Sequence, residues 1–531
     1  MPKVALIGLD GMTFHLLEPL VQQGCLPFFE KMMREGVVSR LWSTENPVTP
    51  AAWVSMYTGK DPQVHGVYDF MHPVEGQEYP ALRFTDSRSI RSKTVWELAS
   101  DQGKKSVSLN FFGMAPPRQL DGFVLGGFVP WKHLRMNTEP QDYYDSLKQH
   151  LGSRFKLLGM DISEEKKIVS GLPASAFGGW VEHHTERNSV ITEASLKLLV
   201  DFKPDIFSVV YDGPDKIQHI FWRYLDPDYV EQFSSEEDQT VREMCVRHYI
   251  ELDRDLSRLV DFLGPDCNLI FASDHGFGPT VEVVYMNQIL SRLGLLTWSA
   301  SSVTDQLGGL APEKLKDHMG MIDWDQTSIY APTPSGNALY LTPHFKASLE
   351  SNEGAYQDFI DDLIEKLESV TDESGERIFT DTVINWERYY NRICPDSSPD
   401  LIVKLRDGGF ISVLKSNSEV VPRSLPEGTH RPDGIFIGHG PSFKEGVTLD
   451  KPLQITSVTP LILALADLDL PNDLSSPVPV EVLQEEFTDS RKIRINQDLD
   501  STARPETTLE SQPHIDEAML VEQLKTLGYI E

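Results

Sequence analysis

Within "FASDHGFGP" an apolar run, Leu269 to Ala272, gives way after Ser273 to Asp274 and His275. A carboxylate beside an imidazole can serve a turn or can hold a divalent cation. Other stretches offer the same side-chain types. "VALIGLDG" delivers Asp10 at the end of an apolar run, and "FSVVYDGPDKIQHIFW" delivers Asp212, then Asp215 and His219. The loop "EGTHRPDG" offers His430 just before the apolar run "DGIFIGHG". Asp215 and His219 stand four apart, so on a helical turn they share a face. Taken singly, Asp10 is equally a turn residue, the Asp215–His219 pair equally a solvated helix face, and His430 equally part of a turn. Taken jointly, carboxylates and imidazoles gather at the ends of apolar runs. Nitrogen and oxygen donors without thiolates suit zinc or manganese rather than calcium or an iron–sulfur cluster. Three Asp and three His are too many for one tetrahedral ion, so two divalent metal ions are the natural arithmetic. Paired cations are a recurring device for displacement at phosphorus.

Such chemistry wants a nucleophile, and "NPVTPAAWVSMYTG" supplies one. Thr49 precedes Pro50 and a helix-like run from Ala51 to Tyr57, the pattern of an N-cap followed by proline at the first helical position. A plain capping threonine would account for it. Yet a helix N-terminus also binds anions through free N–H groups and the dipole, and a hydroxyl bound there to a metal is a competent nucleophile.

These residues need a scaffold that brings them to one place. "KVALIGLD", "KSVSLNFF", "DIFSVVYD", "CNLIFASD", "PDLIVKL" and "DGIFIGHG" are near-continuous apolar runs, as parallel strands buried on both faces show. Between them "LEPLVQQGCLPFFEKMMREG" and "NSVITEASLKLLVDF" carry apolar residues at helical spacing. The alternation predicts an α/β fold, a mostly parallel sheet with helices on both faces and its site beyond the carboxyl ends of the strands. Polar and glycine-rich stretches suggest cap-like insertions, at about 115–190 and 280–345, in a catalytic domain spanning 1–484. Residues 485–513 read as a linker. Residues 514–531 read as an amphipathic helix with Ile515, Met519, Leu520, Leu524 and Leu527 largely on one side, suited to docking on the core or to oligomerisation.

The 531 residues carry a formal net charge of −32, which argues against a nucleic-acid surface. An anionic substrate would need bound cations to reverse the local field. Cys25, Cys245, Cys267 and Cys394 lack CxxC spacing and fit reduced thiols in a cytoplasm. No run is long enough to span a bilayer, and the N-terminus lacks the apolar core of a signal peptide.

"LIGLDGM", "TPAAWVSMYTGKDPQVHGV", "DGPDKIQH", "ASDHG" and "GTHRPDGIFIGHGPSF", in that order from Val4 to about Phe443, resemble the alkaline phosphatase superfamily. The type I phosphodiesterase and nucleotide pyrophosphatase branch is the nearest, especially its intracellular prokaryotic phosphohydrolase-like or phosphomutase-like members. The resemblance implies an alkaline-phosphatase-like fold and two divalent ions, Zn or Mn. Asp215, His219 and His430 would hold one ion, and Asp10, Asp274, His275 and the Thr49 hydroxyl the other. It further implies a phosphoric ester hydrolase, phosphodiesterase or phosphomonoesterase, acting on a small phosphorylated substrate. Thr49 would attack in line to form a phosphothreonine intermediate, which water then hydrolyses. One position departs from the pattern: where many nucleotide-processing members carry Asn, "HGVYDF" has Phe70, with Asn110 a conceivable substitute. A phosphomutase on a small metabolite, or a non-catalytic binding protein on a phosphatase fold, are the alternatives. A sulfatase is excluded, because "TPAAW" lacks the required Cys/Ser-x-Pro-x-Arg.

Overall fold

Alternate residues of the first strand face two different cores. Ala5, Ile7 and Leu9 enter one apolar cluster, while Val4 and Leu6 enter another on the opposite side. A strand sandwiched in this way has no polar face, which is why its sequence is an unbroken apolar run. The computed structural model describes residues 1–74, 80–160, 172–300, 319–352, 354–385, 398–489 and 493–502.

The elements that matter to the site are β1 (Val4–Leu9), β2 (Val37–Trp42), α1 (Thr49–Thr58), β3 (Ser106–Leu109), β4 (Gly122–Leu125), α2 (Phe177–Phe202), β5 (Ile206–Tyr211), α3 (Gly213–Leu225), α4 (Glu236–Leu263), β6 (Asn268–Ala272), β7 (Gly276–Tyr285), β8 (Val420–Arg431) and β9 (Asp433–His439). The central sheet runs β2-β9-β6-β1-β5-β3-β4, with the short strands Val447–Thr448 and Thr138–Glu139 at its two edges. β6, β1, β5, β3 and β4 are mutually parallel, whereas β9 runs antiparallel to both β2 and β6. The sheet is therefore mixed and mostly parallel, with α2, α3 and α4 on one face and α1 on the other. This is the expected α/β fold.

Several readings need correction. "DGIFIGHG" is a central strand but antiparallel, and "PDLIVKL" lies outside this sheet, in a four-stranded antiparallel one. A doubly buried apolar run looks the same whichever sheet and direction it takes. The helical stretch at residues 17–36 is divided between two helices, Phe14–Gln22 and Pro27–Glu35. Gly24 at φ +73 turns the chain between them, and Pro27 opens the second. Within the stretch 115–190, β4 belongs to the central sheet and α2 covers it, so these segments form part of the main fold.

Beyond β7 a second lobe rises, with its own core of Ile289, Leu290, Tyr330, Leu339, Ile360, Leu363, Val403 and Ile411. It includes a three-stranded sheet in which β7 is flanked by Gly409–Ser412 and β8. This accessory lobe thus extends well past residue 345. Among the described residues no helix is long and apolar enough to cross a membrane. Cys394, the end of the expected linker and the 514–531 helix lie outside the described residues.

Candidate metal centre

Three strands end at one level and deliver their acids together. Leu9 pairs with Tyr211, and Gly8 with Ala272, so Asp10, Asp212 and the Ser273–Asp274 step emerge side by side. Gly11, at φ +66, turns the chain so that its N–H donates to Asp274 Oδ1 at 3.1 Å. α3 begins directly after β5 and carries Asp215 and His219 on one face, with His219 Nε2 3.3 Å from Asp215 Oδ1. His430 arrives differently. It lies in strand β8, paired opposite Phe277 of β7, and not in the loop the sequence suggested. The approach of β8 to α3 needs Gly428, where a Cβ would meet the Gln218 carbonyl oxygen at 2.2 Å.

All seven side chains converge. His430 Nε2 stands 3.3 Å from Asp215 Oδ1 and 3.1 Å from His219 Nε2. His275 Nε2 stands 3.3 Å from Asp274 Oδ2, 3.6 Å from Asp10 Oδ1 and 3.3 Å from Thr49 Oγ1. Two candidate cation-holding groups result, Asp215–His275–His430 and Asp10–Asp274–His275, with His219 and Thr49 adjoining them.

Two observations test whether these residues suit cations. First, each histidine is oriented by the backbone. His219 Nδ1 meets the Gly428 carbonyl at 3.1 Å, His275 Nδ1 meets the Gly276 carbonyl at 3.1 Å, and the His430 ring donates to the Pro47 carbonyl. A proton used there leaves the Nε2 lone pair facing inward, as a metal ligand requires. Second, Asp10 Oδ1, Asp215 Oδ1 and Asp274 Oδ2 are buried and accept no hydrogen bond among the described residues. Buried carboxylate oxygens so exposed to one another are costly unless a cation compensates them. Burial, reinforced by the neighbouring acids, accordingly holds the Asp10 and Asp274 carboxyls well above the usual range without a cation. Burial likewise holds His275 and His430 below the usual imidazole range, so both are neutral donors. The residues fit a pair of divalent cations.

Thr49 is not a cap. Val48 occupies the N-cap position of α1, Thr49 is the first helical residue, and no side-chain capping bond forms. Its hydroxyl is turned to His275 instead.

The sequence reading missed the supports. Trp53 Nε1 donates to Asp10 Oδ2 at 3.2 Å, and the Ser43 hydroxyl donates to the Asp274 carbonyl at 2.5 Å. Trp53 stands four residues after Thr49, a spacing that could have flagged it. Asp212, though at a strand end, is taken by a bidentate pair with Arg187, at 2.8 Å from both Nε and Nη2. Asn110 is committed as well, accepting from Arg187 Nη2 and donating to the Val210 carbonyl. Phe70 packs on Phe112 and Phe128, with ring centroids 5.4 and 5.9 Å away.

This chain is similar to several solved structures. The phosphonoacetate hydrolase of Sinorhizobium meliloti 1021, solved with phosphonoformate, is 15% identical, with 88% of this chain and 96% of that one covered at a TM-score of 0.49. Murine ectonucleotide pyrophosphatase / phosphodiesterase 5, solved as an inactive variant with AMP, is 15% identical over 91% of this chain and 100% of that one, at a TM-score of 0.50. The human counterpart gives 15%, 91%, 99% and 0.48. The match at a TM-score of 0.50, at 15% identity, bears on the fold alone. No curated protein matches the chain. The family model for type I phosphodiesterase / nucleotide pyrophosphatase, however, matches residues 4–433, and the chain belongs to that family.

Proposed function

We propose that this protein is a two-cation phosphoric ester hydrolase with Thr49 as its nucleophile. The observation that carries this reading is the convergence of three unsatisfied carboxylate oxygens and three backbone-oriented Nε2 atoms, with the Thr49 hydroxyl 3.3 Å from one of those nitrogens, that of His275. Asp215, His219 and His430 would hold one divalent ion, and Asp10, Asp274, His275 and Thr49 the other, with Zn and Mn suited to the donor set. When bound, the ions supply positive charge for the phosphoryl oxygens and lower the pKa of the hydroxyl.

The chain does the rest. Thr49 Oγ forms a bond to phosphorus as the ester oxygen opposite leaves and takes a proton, giving a phosphothreonine. Water then cleaves that bond, regenerates the hydroxyl and releases the phosphate product. The position of Thr49 at the start of α1 sets the positive end of the helix dipole beside the phosphoryl group. The substrate we infer is a small phosphorylated molecule; the resemblance matches Phe70 to the position where many nucleotide-processing members carry Asn, which argues against carrying their nucleotide specificity over to this chain. Cys25, Cys245 and Cys267 are free thiols, which suits a reducing compartment such as the cytoplasm.

The test is hydrolysis of p-nitrophenyl phosphate and bis-p-nitrophenyl phosphate with Zn²⁺ or Mn²⁺, before and after chelation. Turnover of either, lost on chelation and in Thr49→Ala, is expected, and the preferred ester separates monoesterase from diesterase. No turnover and no bound metal by elemental analysis would favour a binding protein instead.

A further inference from the structure

The segment leading to Thr49 is tied to the accessory lobe. Asn46 Nδ2 donates to the Ser335 carbonyl at 3.1 Å. The Asn46 carbonyl in turn accepts from Thr44 Oγ1 at 2.6 Å and from the Val48 N–H at 2.8 Å, which shapes the turn into α1. Ser335 is itself held by one carboxylate. Asp69, buried, accepts from Thr333 Oγ1 at 2.5 Å, from Ser335 Oγ at 2.8 Å and from the Phe70 N–H at 2.7 Å. The fit is tight, since a Cβ on Gly336 would lie 3.0 Å from Asp69 Oδ2. Asp69 is fixed on its own side by Thr85 Oγ1, which donates to its carbonyl at 2.7 Å.

Resting on the reading of Thr49 as nucleophile, we propose that Asp69 is a positioning residue which, through Ser335 and Asn46, clamps the Thr49 loop to the accessory lobe and holds the hydroxyl at the metal centre. An ionised carboxylate accepts from two hydroxyls and an amide together, while an amide or a protonated acid must reverse one of those contacts and donate into a hydroxyl. Among the described residues no cation pairs with Asp69, and the titratable group facing it is the Tyr340 phenol on Ala338–Leu341. Burial pushes the Asp69 carboxyl up to about 6, against the pull of its three donors. The clamp is therefore complete at neutral pH and loosens in mild acid. It costs stability, because a folded-state pKa raised from 3.8 means that stability present below that value is lost as pH rises through about 6. A carboxylate kept there at such a cost is one kept for geometry.

The experiment compares Asp69→Ala, Asp69→Asn, Asn46→Ala and the Asp69→Ala/Asn46→Ala pair with the wild type, each loaded with metal and checked for metal content. Expected are kcat losses of about 10- to 100-fold in Asp69→Ala and Asn46→Ala, with KM within about twofold and metal content unchanged. The double variant should be no worse than the worse single one, because both cut one chain of contacts. Asp69→Asn, nearly isosteric, covers the case in which the alanine variant fails to fold, and it should lose the acid limb of the kcat profile near pH 6. Hydrogen exchange at the Val48, Ala51 and Ala52 amides should quicken in every variant. Additive kcat losses, a folded Asp69→Ala with wild-type kcat, or unchanged exchange at those amides would overturn the clamp. If the wild type hydrolyses neither nitrophenyl ester, the phosphoryl reading fails while exchange alone still decides the clamp.

Discussion

The imidazoles of His275 and His430 lie face to face, with ring centroids 3.7 Å apart and planes inclined by 22°. One directly precedes β7 and the other is the next-to-last residue of β8, and the pairing of Phe277 with His430 brings them together. Stacking at this distance is tolerable because burial keeps both rings neutral. Each can then offer a lone pair, and the two proposed cation sites share this stacked wall.

Removing the cations should cost stability in a pH-dependent way. Without them, burial and mutual repulsion raise the Asp10 and Asp274 carboxyls. A raised folded-state pKa gives stability that is present in acid and lost as pH climbs through it. The drop in melting temperature on chelation should therefore be larger at about pH 8 than at about pH 5, as calorimetry of matched samples would show.

Thr49→Ala should lose turnover by about a thousandfold or more while keeping its melting temperature, since the hydroxyl makes no capping bond. Thr49→Ser should recover part of the rate. Stopped assays with either nitrophenyl ester measure both, and a large fall in stability in the alanine variant would mean the hydroxyl is structural after all.

Trp53→Phe keeps a ring against Phe111 but removes the donor to Asp10 Oδ2. Supports of a metal ligand are typically worth 10- to 100-fold in affinity, so metal binding should weaken by about that factor. Titration with Zn²⁺ against a competing chelator reads the change directly.

Arg187→Met leaves Asp212 buried without its cation. Breaking such a pair costs about 3–5 kcal/mol, so the variant should unfold at distinctly lower denaturant. Metal content at saturation should not change, because Asp212 belongs to the scaffold beside the site. Pairing the change with Asp212→Leu should recover much of the loss.

Much of the centre was legible because parallel strands that stop at one level place whatever follows them in one crevice. Asp10, Asp274 and, one turn into α3, Asp215 and His219 follow that rule, and an unbroken apolar run before each is a local signal. The strand seating of His430 was not local: it depends on β8 pairing with β7 across the whole accessory lobe. Position along the chain did not separate Asp212 from Asp215, both just after β5; the family resemblance alone pointed to Asp215. Arg187, on a helix packed beneath the sheet, claims the first and leaves the second for the crevice. Residue order along the chain determined which acids and imidazoles reach the strand ends, because backbone periodicity is a short-range property. Tertiary packing alone decided which of their oxygens and nitrogens were left without a partner, because satisfaction of a buried polar atom depends on every element that closes around it.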